Sequence, residues 1–154
     1  MYLGKVGTQT KTFIAGVRGI TTGVADAVLV AIDSNGQLGT ISSSRRYKKD
    51  IQDMRGASAG LLELRPVTFR YTQAFTDGAT PTQYGLIAEE VAEIYPDVVV
   101  YNDAGQAETV QYRKVNAMLL NEVQRQHRQI AVQQEQIDAL LTRLVAVERR
   151  LDTN

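Results

Sequence analysis

The stretch KVNAMLLNEVQRQHRQIAVQQEQIDALLTRLVAVERRL, Lys114 to Leu151, decides how the rest of the chain is read. It holds no Pro or Gly, so nothing in it breaks a helix. Seam positions recur at alternating spacings of three and four. Position a takes Val123, Ile130, Ile137, Leu144 and Leu151, and position d takes Leu119, Gln126, Gln133, Leu140 and Val147. At about 1.5 Å per residue this helix is roughly 55 Å long, too long for one small domain to cover. Its narrow stripe therefore needs further helices of the same kind. The two glutamines at successive d positions can hydrogen-bond to their symmetry mates, which fixes register at some cost in stability. Spacing alone leaves two and three strands open. Three are expected, because the far end of the chain also calls for a shared axis. His127 falls at an e position on the flank of the seam, the place of an exposed or flank-packed residue rather than a metal ligand.

Upstream, residues 51 to 112 have the texture of a globular domain. ASAGLLELRPVTFRY, Ala57 to Tyr71, predicts a short helix ending near Leu64, since Pro66 disfavours helical backbone at Arg65. A strand follows, with Val67, Phe69 and Tyr71 on one side. After the loop AFTDGATPT, Tyr84-Gly85-Leu86-Ile87 leads into a helix from Ala88 to Tyr95 that Pro96 stops. VVVYNDAGQAETVQY predicts a hairpin, with Val98 to Tyr101 and Thr109 to Tyr112 as strands and Asn102-Asp103-Ala104-Gly105 as the turn. Together these make a small α+β unit.

The first forty residues are Gly-rich strand material. Phe13, Ala15, Val17 and then Val28, Val30, Ile32 alternate with period two, and Asp33-Ser34-Asn35-Gly36 carries the Asn-Gly pair that a tight hairpin turn prefers. Short strands with so few large apolar side chains do not stand alone, but several copies wrapped on a common axis can make a fibrous stalk. The expected organisation is the end of a trimeric β stalk over 1–42, an α+β domain over 43–113 and a coiled-coil helix over 114–154.

Composition narrows the chemistry. Charged residues are 22% of the chain and cancel, so nothing global drives it toward nucleic acid or an anionic membrane. The absence of cysteine removes disulfides and thiolate chemistry, and a single histidine makes a transition-metal site improbable. No apolar run is long enough to span a bilayer and no signal-like opening is present. No cofactor, small-molecule substrate, nucleic acid or membrane partner is expected. Glu89, Glu90 and Glu93 read as a solvated helix face rather than a glycosidase pair. GVRGITTG lacks the strand and helix context of a phosphate cradle.

One segment remains. SSSRRYKKDI, Ser42 to Ile51, sits where stalk gives way to domain, and alone it would pass for a solvated basic linker. A serine hydroxyl needs a base to attack a peptide carbonyl. A lysine serves when it is neutral, and burial or neighbouring positive charge favours that form. Arg45, Arg46 and Lys49 supply such charge around Lys48. Residues five apart point about 140° apart on a helix and to opposite faces of a strand, so a serine and lysine at that spacing meet only across a bend.

The order of motifs resembles the C-terminal intramolecular chaperone domain of phage endosialidases, tail spikes and tail fibres, a domain also found in bacterial surface proteins and in myelin regulatory factor. The likeness runs from Ser42 to Leu151. It rests on LLELRPVTFRY (Leu61 to Tyr71), YGLIAEEVAEIYPDVVV (Tyr84 to Val100) and TVQYRKVNAMLLNEV (Thr109 to Val123), in that order. The resemblance implies a homotrimer that assembles the stalk before it and then cuts itself free. It places the nucleophile at Ser43, a basic residue at Arg46, the base at Lys48, the first buried apolar residue at Ile51 and the cut between Ser42 and Ser43. Ser44 stands where the family commonly has Asp. A second register, Ser44 with Lys49, has the same spacing but displaces Arg46 and Ile51 from their matches. The partners implied are further copies of the chain and the stalk of its own precursor. The setting implied is phage tail assembly in the host cytoplasm or a bacterial cell surface. Two other readings stay open: a structural trimerisation module that does not cleave, and a receptor-binding fibre tip.

Overall fold

The computed structural model describes residue 8 and residues 11–152. The outer ends of the expected stalk and of the expected coiled-coil segment lie outside those residues. The chain divides into two compact units, Met1–Ile51 and Gln52–Asn154.

In the first unit one ladder forms among the described residues. Strands β1 (Ala31–Ile32) and β2 (Leu38–Gly39) pair antiparallel, Ala31 with Gly39 and Ile32 with Leu38. The loop is wider than a two-residue Asn-Gly turn. Asp33 N–H donates to the Gln37 carbonyl at 3.1 Å, and the Asp33 carboxylate accepts the N–H groups of Asn35 and Gln37 at 3.0 and 2.9 Å. Within this loop only Gly36 takes positive φ, +78°, whereas the tightest hairpin turn needs two such residues. Phe13, Ala15 and Val17, expected on a strand, join no ladder. Phe13, Val17, Val28 and Ile32 are each more than 60% exposed, because no other described residue of this unit covers them.

The second unit holds the core. A nine-residue 3-10 helix, Arg55–Glu63, replaces the expected helix and stops ahead of Leu64 and Pro66. Strands β3 (Val67–Phe69) and β4 (Gln83–Gly85) pair antiparallel, with Val67 opposite Gly85. Tyr71 continues the aromatic row, its ring edge-on to Phe69 at 5.4 Å and to Phe75 at 6.1 Å. Helix α1 (Ala88–Ile94) follows, then a 3-10 turn from Pro96 to Val98. Next come the antiparallel strands β5 (Val99–Tyr101) and β6 (Ala107–Val110). Their loop repeats the Asp33 device: Asn102 Oδ1 accepts the N–H groups of Ala104 and Gln106, both at 3.0 Å, and Gly105 takes φ +75°. The second strand thus lies two residues earlier than the expected Thr109 to Tyr112, since Tyr112 already begins the long C-terminal helix, and the register slips between Val100 and Tyr101.

Leu61, Val91, Val98, Val99, Val110, Val115 and Met118 form the buried core, with Leu64, Leu86 and Tyr95 packed against it. Two glycines allow tyrosines to close it. A Cβ on Gly85 would lie 2.9 Å from Tyr112 Oη, the atom that accepts the Leu86 N–H at 3.1 Å. A Cβ on Gly60 would meet Ile94 Cγ2 and Tyr95 Oη, both at 2.9 Å, and that hydroxyl donates to the Ala57 carbonyl at 3.0 Å.

Helix α2 (Tyr112–Leu151) is 40 residues long, about 60 Å at helical rise. Its first turns belong to the core through Val115, Met118 and Glu122. All ten expected seam residues lie on it, and most are well exposed. Val123, Ile130 and Leu140 stand at 59%, 61% and 61%, and every described residue from His127 onward is exposed. Within the described residues no helix is long and apolar enough to cross a membrane.

Candidate functional site

The segment Ser42 to Ile51 lies entirely within the first unit and is exposed throughout. Its bend is a single 3-10 turn, Arg45–Tyr47. Ser44 is extended (φ −63°, ψ 138°) at the N-cap, and its carbonyl accepts the Tyr47 N–H at 3.1 Å. Lys48 is extended again at the far end, its N–H donating to the Arg45 carbonyl at 3.0 Å. The turn lets the residues on either side of it come together. Lys48 Nζ donates to Ser43 Oγ at 3.2 Å. The geometric condition set by five-residue spacing is thus met by one turn of 3-10 helix.

The alternative pair behaves differently. No hydrogen bond joins Ser44 to Lys49, and the Ser44 N–H is directed instead to Ser42 Oγ at 3.4 Å. Of the flanking cations, Arg46 lies over the Tyr47 ring with its guanidinium carbon 5.1 Å from the centroid. Asp50 closes the segment with φ +53°, a left-handed conformation that Asp tolerates better than most residues. Ile51, expected to be the first buried apolar residue, is 52% exposed, since the described residues of this unit form no core to receive it. Ser44 occupies an N-cap without using its hydroxyl as a cap, and Asp, the family's common residue there, is an equally preferred N-cap.

A second polar cluster is buried in the other unit, where sequence reading placed nothing. Ser58 is fully buried and Glu122 is 3% exposed. Asn121 Nδ2 donates to Ser58 Oγ at 2.6 Å and to the Arg55 carbonyl at 2.8 Å, holding Arg55 in a left-handed conformation (φ +49°). Ser58 Oγ donates to Glu122 Oε2 at 3.4 Å. Arg125 grips the same carboxylate with Nε and Nη2 at 3.0 and 2.6 Å, and Gln126 Nε2 adds a contact at 3.3 Å. The Arg125 guanidinium holds the Glu122 carboxyl below the usual carboxylate range, against burial, which pushes it up. A carboxylate so fully paired is a structural fastener rather than a general base. The sequence carries no sign of it, because Glu122 at a g position reads as a solvated flank. Glu90, set aside as catalytic, is ion-paired to Arg65 across a shallow cleft that also includes Glu63, Glu93 and Leu86. No group of His, Asp and Glu among the described residues is arranged to hold a metal ion.

The features that stand out are a serine and lysine in contact on an exposed turn, ahead of a small α+β unit. Residues 43–100 match the family model of the chaperone of endosialidase. The match bears out the resemblance over that span and supports a chaperone-type role. It begins at Ser43 and ends within β5, so α2 lies outside it. No curated protein matches the chain.

Proposed function

We propose that the chain is a homotrimeric intramolecular chaperone that promotes trimerisation and folding of the β stalk preceding its 43–113 domain, and that Ser43 and Lys48 then release it. The observation that carries this reading is the 3.2 Å approach of Lys48 Nζ to Ser43 Oγ, at the residue where the family match begins. With the lysine protonated, Nζ is the donor. A neutral amine at the same separation accepts the hydroxyl proton instead. Ser43 Oγ then attacks the carbonyl carbon of Ser42. The tetrahedral adduct collapses with loss of the Ser43 nitrogen, which takes the proton held by Lys48, leaving an ester between the Ser42 carbonyl and Ser43 Oγ. Water hydrolyses the ester to a Ser42 carboxylate and the free hydroxyl.

In one chain both side chains are exposed to water. Desolvating Lys48 is therefore left to the neighbouring copies, beside the charge of Arg45, Arg46 and Lys49. Assembly in this way becomes the trigger for release. The apolar side chains exposed from Phe13 to Ile41 and along the α2 seam support the same oligomeric reading. The setting proposed is fibre assembly, in a phage tail or on a bacterial surface.

The test is intact mass after refolding of wild type, Ser43→Ala and Lys48→Ala chains. Fragments 1–42 and 43–154 are expected from wild type alone. An uncut wild-type trimer favours the non-cleaving module, and a monomer by sedimentation removes the trimer from both.

A further inference from the structure

The serines Ser42, Ser43 and Ser44 are used in three different ways. Ser43 Oγ meets Lys48 Nζ at 3.2 Å, and the Ser44 carbonyl accepts the Tyr47 N–H at 3.1 Å. Ser42 Oγ accepts the Ser44 N–H at 3.4 Å, a side-chain oxygen taking the N–H two residues on. Among the described residues Asp33, Asp77 and Asn102 make the same bond, each at 3.0 Å, to the N–H groups of Asn35, Ala79 and Ala104. Those three lie in the loops that join β1 to β2, β3 to β4 and β5 to β6, and each loop contains a glycine with positive φ, Gly36, Gly78 or Gly105. Ser42 heads no such hairpin: β2 ends at Gly39, and the next strand begins at Val67. Chain reversal between paired strands therefore does not account for the bond at Ser42.

The covalent path that this bond closes does. It runs from Ser42 Oγ through Cβ, Cα and C, then through N, Cα and C of Ser43 to the Ser44 nitrogen. The Ser42–Ser43 peptide bond lies inside that ring, so the ring restricts ψ of Ser42 and φ of Ser43. Two torsions bring Ser43 Oγ to the carbonyl carbon of Ser42, and they are φ and χ1 of Ser43. We propose that Ser42 is a positioning residue for self-cleavage: by holding the Ser44 N–H, its hydroxyl fixes φ of Ser43 and leaves χ1 as the one rotation between the contact with Lys48 and attack. In the step itself Ser43 Oγ bonds to the Ser42 carbonyl carbon, the bond from that carbon to the Ser43 nitrogen breaks, and the nitrogen takes the proton that Lys48 removed from Oγ. The ring opens with the same bond, so the restraint ends as the fragments part. This role rests on the self-cleavage reading above and adds to it the residue on the stalk side of the cut.

The test follows refolded wild-type, Ser42→Ala and Ser42→Asn chains by intact mass over time and over a range of pH, with sedimentation alongside. Ser42→Ala is expected to form fragments 1–42 and 43–154 about five- to tenfold more slowly than wild type. Its oligomeric state and the pH range over which its rate rises are expected to match wild type, because Lys48 and its neighbours are untouched. Ser42→Asn offers the side-chain oxygen that Asn102 uses and is expected to cut no more than about twofold slower than wild type. Equal rates for Ser42→Ala and wild type, or an Asn variant as slow as the Ala one, overturn the role of Ser42 and leave the dyad standing. A shifted pH range, or an altered sedimentation value, moves the effect to Lys48 or to assembly and overturns the role as well. A wild-type chain that stays uncut defeats the self-cleavage reading and this role with it.

Discussion

Replacing Gly85 with alanine tests whether a glycine in the YGLI motif exists to admit a tyrosine. The new Cβ would sit 2.9 Å from Tyr112 Oη and 3.3 Å from Phe69 Cε1. The ring is rigid and its hydroxyl is held by the Leu86 N–H at 3.1 Å, so relief means tilting Tyr112 away and losing that bond. Overpacking of this kind costs about 1–3 kcal/mol and the hydrogen bond about 1 kcal/mol. Alanine returns about 0.4–1 kcal/mol by restricting the unfolded chain. The net expectation is a loss of about 2 kcal/mol. Tyr112→Phe alone is expected to lose about 1 kcal/mol. The double variant removes the atom in the way and is expected to lose less than the sum of the singles, by about 1–2 kcal/mol. Urea unfolding followed by tyrosine fluorescence measures this, since the chain has seven Tyr and no Trp. All variants are compared at one protein concentration, because assembly shifts apparent stability. Strict additivity of the two substitutions would falsify the account.

Two further expectations follow from the polar groups. Because Arg125 holds the Glu122 carboxyl below the usual carboxylate range, the stability it contributes is complete at neutral pH and is lost as pH falls through the folded-state value. Glu122→Gln is therefore expected to be less stable than wild type at neutral pH, with the gap narrowing on acidification; a gap that stays constant in urea midpoints from about pH 7 to about pH 3 removes the carboxylate from the explanation. Ser44→Asp adds a carboxylate at the head of the turn that joins Ser43 to Lys48, where the free N–H groups favour negative charge, and is expected to hasten fragment release several-fold. A time course unchanged from wild type would mean that the residue at this position does not act through the turn.

Legibility varied with the range of the interactions. α2 could be read because its period is written over many turns and nothing interrupts it. The two loops headed by Asp33 and Asn102 could be placed because their first residue and their glycine act locally. The strand edges beside them could not, since a slip at Val100 depends on pairing rather than on local preference. Ile51 and the Phe13 to Val17 strand were expected to be covered or paired, and a lone chain offers neither. The Ser43 and Lys48 contact was legible as a spacing that required a bend; the 3-10 turn that supplies the bend was not. Glu122 was hidden altogether, because its burial comes from Ser58 and Asn121 meeting across residues more than sixty apart in sequence.

The fastening of α2 at Val115, Met118 and Glu122 sets an angular phase. These buried residues and the seam that starts at Leu119 and Val123 lie roughly a quarter-turn apart around the helix, at about 100° per residue. One residue inserted between Glu122 and Ile130 would swing the whole distal seam by that angle while the proximal turns stayed clamped. The helix can therefore be lengthened or trimmed from its far end by whole heptads, but near Gln126 its spacing is as constrained as the pitch of a screw thread already engaged at one end.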